Sequence, residues 1–127
     1  MSLLTSEQVI DLETACTQLT SSDGIRFCGI INNKGRLIAG SFKPGIVPHE
    51  NDKQRQMLYM ELALDLSMKK EFDSSLGRIK SIVSRRESVN LISIPFNQNF
   101  ILISTESYNN EDEVTSLANQ VFRLELI

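Results

Sequence analysis

The residues of this chain best suited to nucleophilic or metal chemistry are one histidine, His49, and two cysteines, Cys16 and Cys28. A cysteine nucleophile needs a neighbouring base, and His49 is the one histidine that could serve. Cys28, however, stands in the middle of the apolar run Ile25–Ile31, where a thiol is usually inert core. The cysteine spacing matches neither a zinc ribbon nor a redox motif, and a single histidine builds no histidine cluster. We therefore predict two buried free cysteines, no metal site and no catalytic residue.

A second candidate for chemistry is a group of carboxylates near the C-terminal end: Glu106, Glu111, Asp112 and Glu113. Their spacing matches no calcium loop, and acidic residues in the first turn of a helix stabilise its positive end. The chain also has no glycine-rich phosphate loop. Acid–base pairs made across a fold leave no local trace, but nothing in the sequence favours an enzyme. We predict a non-enzymatic protein that binds no cofactor.

Local charge is most unbalanced between Lys69 and Arg86, in a chain whose net charge is -3. Six basic residues stand there against Glu71 and Asp73: Lys69, Lys70, Arg78, Lys80, Arg85 and Arg86. Such a run is usually a solvated face, and the alternative is a patch for an anion or an acidic partner. Phe72 is the one aromatic residue in this stretch, so stacking on nucleic acid is poorly supported. A third hypothesis, an enzyme acting on a phosphorylated substrate, needs Arg85, Arg86 and Lys80 to converge with a carboxylate in one cleft.

The elements that must position these residues follow from hydrophobic periodicity and turn signals. Helices are predicted over residues 6–19, from 51 or 52 to 72, and from 111 onwards. Strands are predicted over 25–31, 36–42, 76–84, 89–94 and 100–104, with hairpin turns within each group. The order α-β-β-α-β-β-β-α indicates an α/β (α+β) fold, a five-stranded antiparallel sheet with helices on both faces. A length of 127 residues suits a single domain, residues 1–127.

The second helix carries two apolar stripes, whereas a surface helix of a monomer needs only one. Leu58, Leu62 and Leu66 form the first stripe, which we expect in the core because leucine specifies packing well. The second stripe is made of Met57, Met60, Leu64 and Met68. Methionine suits an adaptable contact surface, so this stripe predicts a partner site. The alternative is burial of both stripes within one domain, with methionine filling gaps.

The predicted third strand also indicates a contact between copies. Arg78 and Lys80 alternate with Ile79 and Ser81, a pattern typical of an edge strand protected by charge. An edge strand can pair with a second copy of itself. We therefore predict a homodimer with one continuous two-fold interface, made by Met57, Met60, Leu64, Met68, Ile79, Ser81 and Val83.

The sequence predicts neither a secretory signal nor a membrane-spanning segment. The first residues lack a basic region followed by an apolar run, and no segment approaches the ~20 apolar residues that cross a bilayer. We predict a cytoplasmic protein without membrane contact.

The Gly24–Phe42 hairpin and the long helix after it resemble the roadblock family of dynein light chains and small-GTPase regulators, within the profilin-like class. Ile25–Phe42 and Met57–Phe72, with Arg85-Arg86-Glu87, are also similar to an uncharacterised archaeal family of about this length. The roadblock resemblance implies a homodimer through helix 2 and strand 3, acting as a platform for a small GTPase or motor component. The chain departs from roadblock domains in its Pro44–Pro48 loop and its Arg85-Arg86 turn.

The leading hypothesis for function is therefore a homodimeric scaffold or regulatory module, with itself and a small GTPase or another regulatory protein as partners. The alternative from a different class is a small-ligand sensor, with a pocket under the loop of residues 43–51.

Overall fold

A computed structural model describes residues 4–123; the other residues of the predicted domain, 1–3 and 124–127, lie outside the described part. The helices are α1 (Ser6–Thr20), α2 (Asp52–Lys69), a 3₁₀ turn (Lys70–Phe72), α3 (Asp73–Leu76) and α4 (Glu111–Phe122). The strands are β1 (Ile25–Ile31), β2 (Leu37–Phe42), β3 (Ile82–Arg85), β4 (Val89–Phe96) and β5 (Asn99–Glu106). The predicted order of long helices and strands is confirmed.

The five strands form one antiparallel sheet with the order β2-β1-β5-β4-β3. β1 is an inner strand and is buried along its whole length, which agrees with its apolar side chains on both faces. Helices α1 and α4 cover one face of the sheet, and α2 covers the other. The predicted fold class, an antiparallel sheet with helices on both faces, is confirmed.

Each face of the sheet has its own apolar core. On the α1 and α4 side, Cys16, Leu19, Ile30, Ile92 and Ile103 are completely or almost completely buried. On the α2 side, the core includes Phe27, Ile31, Tyr59, Leu66 and Leu102. The inner face of α2 therefore packs in the core on its side of the sheet. The opposite face of the helix is exposed to solvent.

Helices α1 and α2 both begin with a capping box. At α1 the Thr5 hydroxyl accepts from the Gln8 amide at 3.1 Å, and the Gln8 side chain accepts from the Thr5 amide at 2.8 Å. Asn51 and Gln54 make the same reciprocal pair at the start of α2. Such caps each stabilise a helix by about 1 kcal/mol, and they fix where α2 begins.

The hairpin between β1 and β2 packs closely against α2. Gly35 has φ +79, and a Cβ atom built there would lie 2.6 Å from the Cα of Met60. Glycine is therefore required twice, for the left-handed turn and for the approach of two backbones. This contact holds α2 against one end of the sheet.

The predicted third strand, residues 76–84, is wrong over its first six residues, 76–81. Leu76 ends α3, and Gly77 then adopts φ +84 while its amide donates to the Asp73 carbonyl at 2.9 Å. β3 begins only at Ile82, which pairs with Ser93 of β4. Further along β4 stands Pro95, which has no amide hydrogen to donate to a longer β3. Ile79 and Ser81 consequently precede the edge strand instead of lying in it.

Candidate functional site

The two stripes of α2 lie on different sides of the helix, as predicted. Leu66 is buried, and Leu58 and Leu62 are half-buried against the core on the α2 side of the sheet. Met57, Met60, Leu64 and Met68 are each about 60% exposed and form what we call the methionine face. The leucine side of α2 therefore holds the helix to the sheet, and the methionine face is left in solvent.

Sequence reasoning missed two residues that extend this apolar surface. Phe72 is 58% exposed and Leu76 is 80% exposed, and both follow α2 directly. The signal was present, because Met60, Leu64, Met68, Phe72 and Leu76 recur at every fourth position. The predicted helix ended at Phe72 and Leu76 was assigned to a strand, so the continuation of the apolar stripe was not recognised.

The other part of the predicted dimer interface lies near β3, an edge strand of the sheet. Val83 belongs to β3 and is half-buried against the core on the α1 and α4 side. Ile79 precedes the strand and packs against the core on the α2 side. Ser81, also half-buried, is the residue just before β3. The edge position of β3 agrees with the prediction, while the extent of the strand does not.

The six basic residues do not form one compact patch. Lys69 pairs with Asp65 at 2.7 Å, and Lys70 lies in the 3₁₀ turn that follows α2. Arg78 and Lys80 are exposed before β3, whereas Arg85 and Arg86 are exposed where β3 ends and its turn begins. Arg85 forms a salt bridge with Glu111 at the start of α4. Arg78 and Lys80 thus lie before β3, Arg85 and Arg86 lie at its other end, and Lys69 and Lys70 belong to the end of α2 and its turn.

An open cleft of about 980 Å³ lies beneath the 43–51 loop, between α2 and the turn that joins β3 to β4. Phe27, Leu91 and Leu102 of the sheet line it, and Met57 and Leu58 contribute from α2. Polar and charged residues line the rest: Arg26, His49, Glu50, Gln54, Glu61, Arg85, Arg86 and Glu87. The pocket that the ligand-sensor hypothesis requires has a counterpart in this cleft. Lys80 does not line it, so the convergence required by the phosphorylated-substrate hypothesis is not formed.

One wall of the cleft depends on a bulge in β1. Ile25 pairs with Thr105 and Phe27 with Ser104, so Arg26 is an extra residue on its strand. Arg26 donates from Nη1 to the Glu106 carboxylate at 3.3 Å and from Nη2 to the Val47 carbonyl at 3.1 Å. A buried charge is tolerated when it is paired in this way. The bulge therefore connects the sheet to the 43–51 loop.

Aromatic side chains form the part of the cleft next to α2. Phe27 packs on Phe42 with ring centroids 4.6 Å apart, and Tyr59 stacks on Phe27 at 6.3 Å. The Arg55 guanidinium lies over the Phe42 ring at 5.2 Å and pairs with Glu50. Burial raises the pKa of the Tyr59 hydroxyl to about 12, so the residue is neutral at physiological pH.

The candidate nucleophile and base lie apart in the structure. Cys28 packs with Cys16 in the core on the α1 and α4 side, whereas His49 lines the cleft on the opposite side of the sheet. Both cysteines are buried and free. Burial raises the pKa of the Cys28 thiol well above its usual value, and a hydrogen bond with Cys16 adds to the shift. These thiols therefore behave as core residues.

The carboxylates near the C-terminal end serve α4 and the cleft wall. Asn110 caps the helix by accepting from the amides of Asp112 and Glu113, and Glu106 holds Arg26. Within residues 4–123, no group of three or more His, Cys, Asp or Glu side chains is placed to hold a metal ion. None of the helices described is long and apolar enough to cross a membrane.

Comparison with solved structures identifies the fold as that of roadblock/LC7 domains. The roadblock/LC7 domain from Streptomyces avermitilis superposes with a TM-score of 0.71 at 8% identity, over 89% of this chain and 92% of that one. The gliding protein MglB from Thermus thermophilus gives a TM-score of 0.77 at 13% identity, over 95% and 89%. Profilin from Schizosaccharomyces pombe gives 0.57 at 11% identity, over 86% and 92%. At these identities the likeness concerns the fold alone.

Sequence comparison gives a narrower result. No protein of curated function matches the chain significantly. One family does match, over residues 5–123, and its description is "Family of unknown function". Because the match spans nearly all of the 127 residues, this chain belongs to that family, DUF6659.

Proposed function

We propose that this protein is a non-enzymatic, homodimeric scaffold or regulatory module of the cytoplasm, and that residues 1–127 fold as one domain. Two copies pair through the methionine face of α2 and through the edge of β3, with Ile79, Ser81 and Val83 beside that edge. The observation that carries the proposal is the exposure of four large apolar side chains, each about 60%, on one side of one helix. An apolar surface of this kind on a soluble domain usually marks a protein contact.

The edge strand supports the same interface. β3 has β4 on one side only, and its other side offers backbone donors and acceptors to a further strand. A two-fold axis beside β3 would join two sheets and bring two copies of α2 together over them. The solved structures with this fold include an MglB with a tetrameric arrangement, which shows that a domain of this shape is able to self-associate.

We also propose that the homodimer binds a regulatory partner. The roadblock resemblance favours a small GTPase or another regulatory protein as the partner of the homodimer. Arg78 and Lys80, exposed before β3, are the basic side chains we assign to an acidic surface of that partner. Affinity capture with the wild type beside Arg78→Glu/Lys80→Glu tests the assignment. Equal capture of the same protein by both would contradict it.

The dimer interface is tested by sedimentation of Met60→Glu and Leu64→Glu at micromolar concentration. A charge in a buried apolar contact is costly, so both variants are expected to be monomers. Ile10→Glu is the matched control, because Ile10 is 61% exposed but lies on α1, on the other side of the sheet. The interface is wrong if either α2 variant remains a dimer like the control.

A second candidate function, a small-ligand sensor, is favoured by the cleft beneath the 43–51 loop. Its mixture of apolar and charged walls suits a ligand that carries both kinds of group. Native mass spectrometry of protein purified from its own cells tests this candidate. A bound small molecule that is lost in Ser104→Trp, which places a large side chain in the cleft, would support the sensor; the bare chain mass would count against it.

A further inference from the structure

Phe72 and Leu76 are large apolar side chains that their own chain leaves exposed, by 58% and 80%. They lie just past the end of α2, in the 3₁₀ turn and in α3. They continue the four-residue spacing of Met60, Leu64 and Met68. The exposed apolar surface of this helical segment is therefore longer than α2 itself.

We propose that Phe72 and Leu76 of one protomer insert into the cleft beneath the 43–51 loop of a second copy. This inference rests on the homodimer proposed above, and it adds the occupant of the cleft. Each copy would insert one Phe72 side chain into its partner and accept one in return. The dimer would therefore contain two identical contacts, and we call each contact, Phe72 and Leu76 in the cleft of the other copy, a seat.

The register of two antiparallel α2 helices places Phe72 at the cleft. A two-fold axis through Leu64 sets Met60 of one protomer against Met68 of the other, so apolar side chains meet along the whole methionine face. In this arrangement, residues equally far from Leu64 in opposite directions face each other. Lys69, the last residue of α2, would then lie level with Tyr59 of the other protomer, about 8 Å from the axis at a rise of about 1.5 Å per residue. Phe72 follows three residues later, toward the end of the other α2 where Gln54 and Met57 line the cleft.

The chemistry of the two surfaces is complementary. The sheet supplies Phe27, Leu91 and Leu102 as an apolar floor, which suits an aromatic ring better than solvent does. Glu71 is exposed beside Phe72, and Arg86 lines the cleft that would receive it. The same cleft carries Glu61, and the inserted segment also carries Lys70. The apolar side chain of Phe72 would thus contact the apolar floor of the cleft. Arg86 could pair with an acidic residue of the inserted segment, and Glu61 could pair with Lys70.

A disulfide between protomers tests the seat directly. Gln54 lines the cleft and Leu76 would be inserted into it, so Gln54→Cys/Leu76→Cys is expected to form a covalent dimer under mild oxidation, with Phe72 left in place. Within one chain the pair cannot bridge, because α2 alone separates Gln54 from Lys69 by about 22 Å, whereas a disulfide needs Cα atoms within about 7 Å. Gln54→Cys/Ser116→Cys is the control, since Ser116 is exposed on α4 and is expected to give no such bridge.

The outcomes separate this seat from the homodimer itself. If Gln54→Cys/Leu76→Cys sediments as a dimer but forms no bridge, the seat is wrong and the homodimer stands. If the wild type sediments as a monomer, the homodimer and the seat both fail.

A second variant gives an energetic measure without new cysteines. Phe72→Ala is expected to raise the dimer dissociation constant about 100-fold, tenfold for each of the two seats. Ile10→Ala, at a similar exposure on α1, is expected to leave the dissociation constant unchanged. Thermal unfolding by circular dichroism checks that both variants are folded. A change below about twofold for Phe72→Ala would contradict the seat.

Discussion

Arg26 of β1 forms a salt bridge with Glu106 of the neighbouring strand β5, and Nη1 of the arginine lies 3.3 Å from each carboxylate oxygen. The arginine occupies a bulge in β1, the glutamate ends β5, and the second guanidinium nitrogen holds the Val47 carbonyl. One side chain therefore fixes the loop that forms an edge of the cleft. The cleft is shaped by the sheet as much as by the loop.

Replacing Arg26 with lysine is expected to loosen the 43–51 loop. Lysine keeps the positive charge but lacks the planar guanidinium group, whose two terminal nitrogens bind Glu106 and Val47 at the same time. We expect a loss of about 1–2 kcal/mol in the free energy of unfolding. Amide hydrogen exchange is expected to become faster at residues 44–49. Arg78→Lys, at an exposed arginine before β3, is the control, and unchanged exchange in Arg26→Lys would contradict this role.

Gly35→Ala is expected to destabilise the fold by more than Gly45→Ala. Both glycines have positive φ, +79 and +84, so both substitutions carry the cost of a left-handed alanine, about 1–2 kcal/mol. Only at Gly35 does the new Cβ collide with the backbone of Met60; at Gly45 nothing lies within 4 Å. The collision adds about 1–3 kcal/mol. Denaturant unfolding of both variants measures the difference, and equal losses would show that the hairpin and α2 do not pack closely.

Tyr59 is expected to make the fold less stable at high pH. Its pKa is about 12 in the folded protein and 10.0 ordinarily, chiefly because of burial. The unfolded chain therefore loses this proton first as pH rises, and the stability present below pH 10.0 is lost progressively up to about pH 12. At about 1.36 kcal/mol per pKa unit, the loss amounts to about 3 kcal/mol at most. Denaturant unfolding between these pH values is expected to show a flatter decline for Tyr59→Phe, and parallel curves would contradict the assignment.

The fold could be predicted from sequence because its signals are local. The capping pairs Thr5–Gln8 and Asn51–Gln54 start two helices where they were expected, and the apolar run Ile25–Ile31 is a buried inner strand. The leucine and methionine sides of α2 also follow from residue spacing alone. In each case the pattern and the structure it specifies lie within a few residues of each other.

The predictions failed where the local structure depends on residues that are distant in the sequence. The start of β3 depends on the left-handed Gly77 and on Pro95, which stands in the neighbouring strand. Arg26 reads as one more residue of a strand, and only the bulge against β5 turns it to the cleft. The basic residues look like one patch because they are close in sequence, whereas β3 separates them into two groups. Pairing register and bulges depend on the partner strand, so periodicity in one segment does not reveal them.

The mass of the wild-type protein in solution tests the central claim most directly. Sedimentation equilibrium across the micromolar range is expected to give twice the chain mass of 14.3 kDa, with no trend toward larger species. A mass of 14.3 kDa throughout that range would mean that the methionine face is not a contact between copies, and would contradict the homodimer.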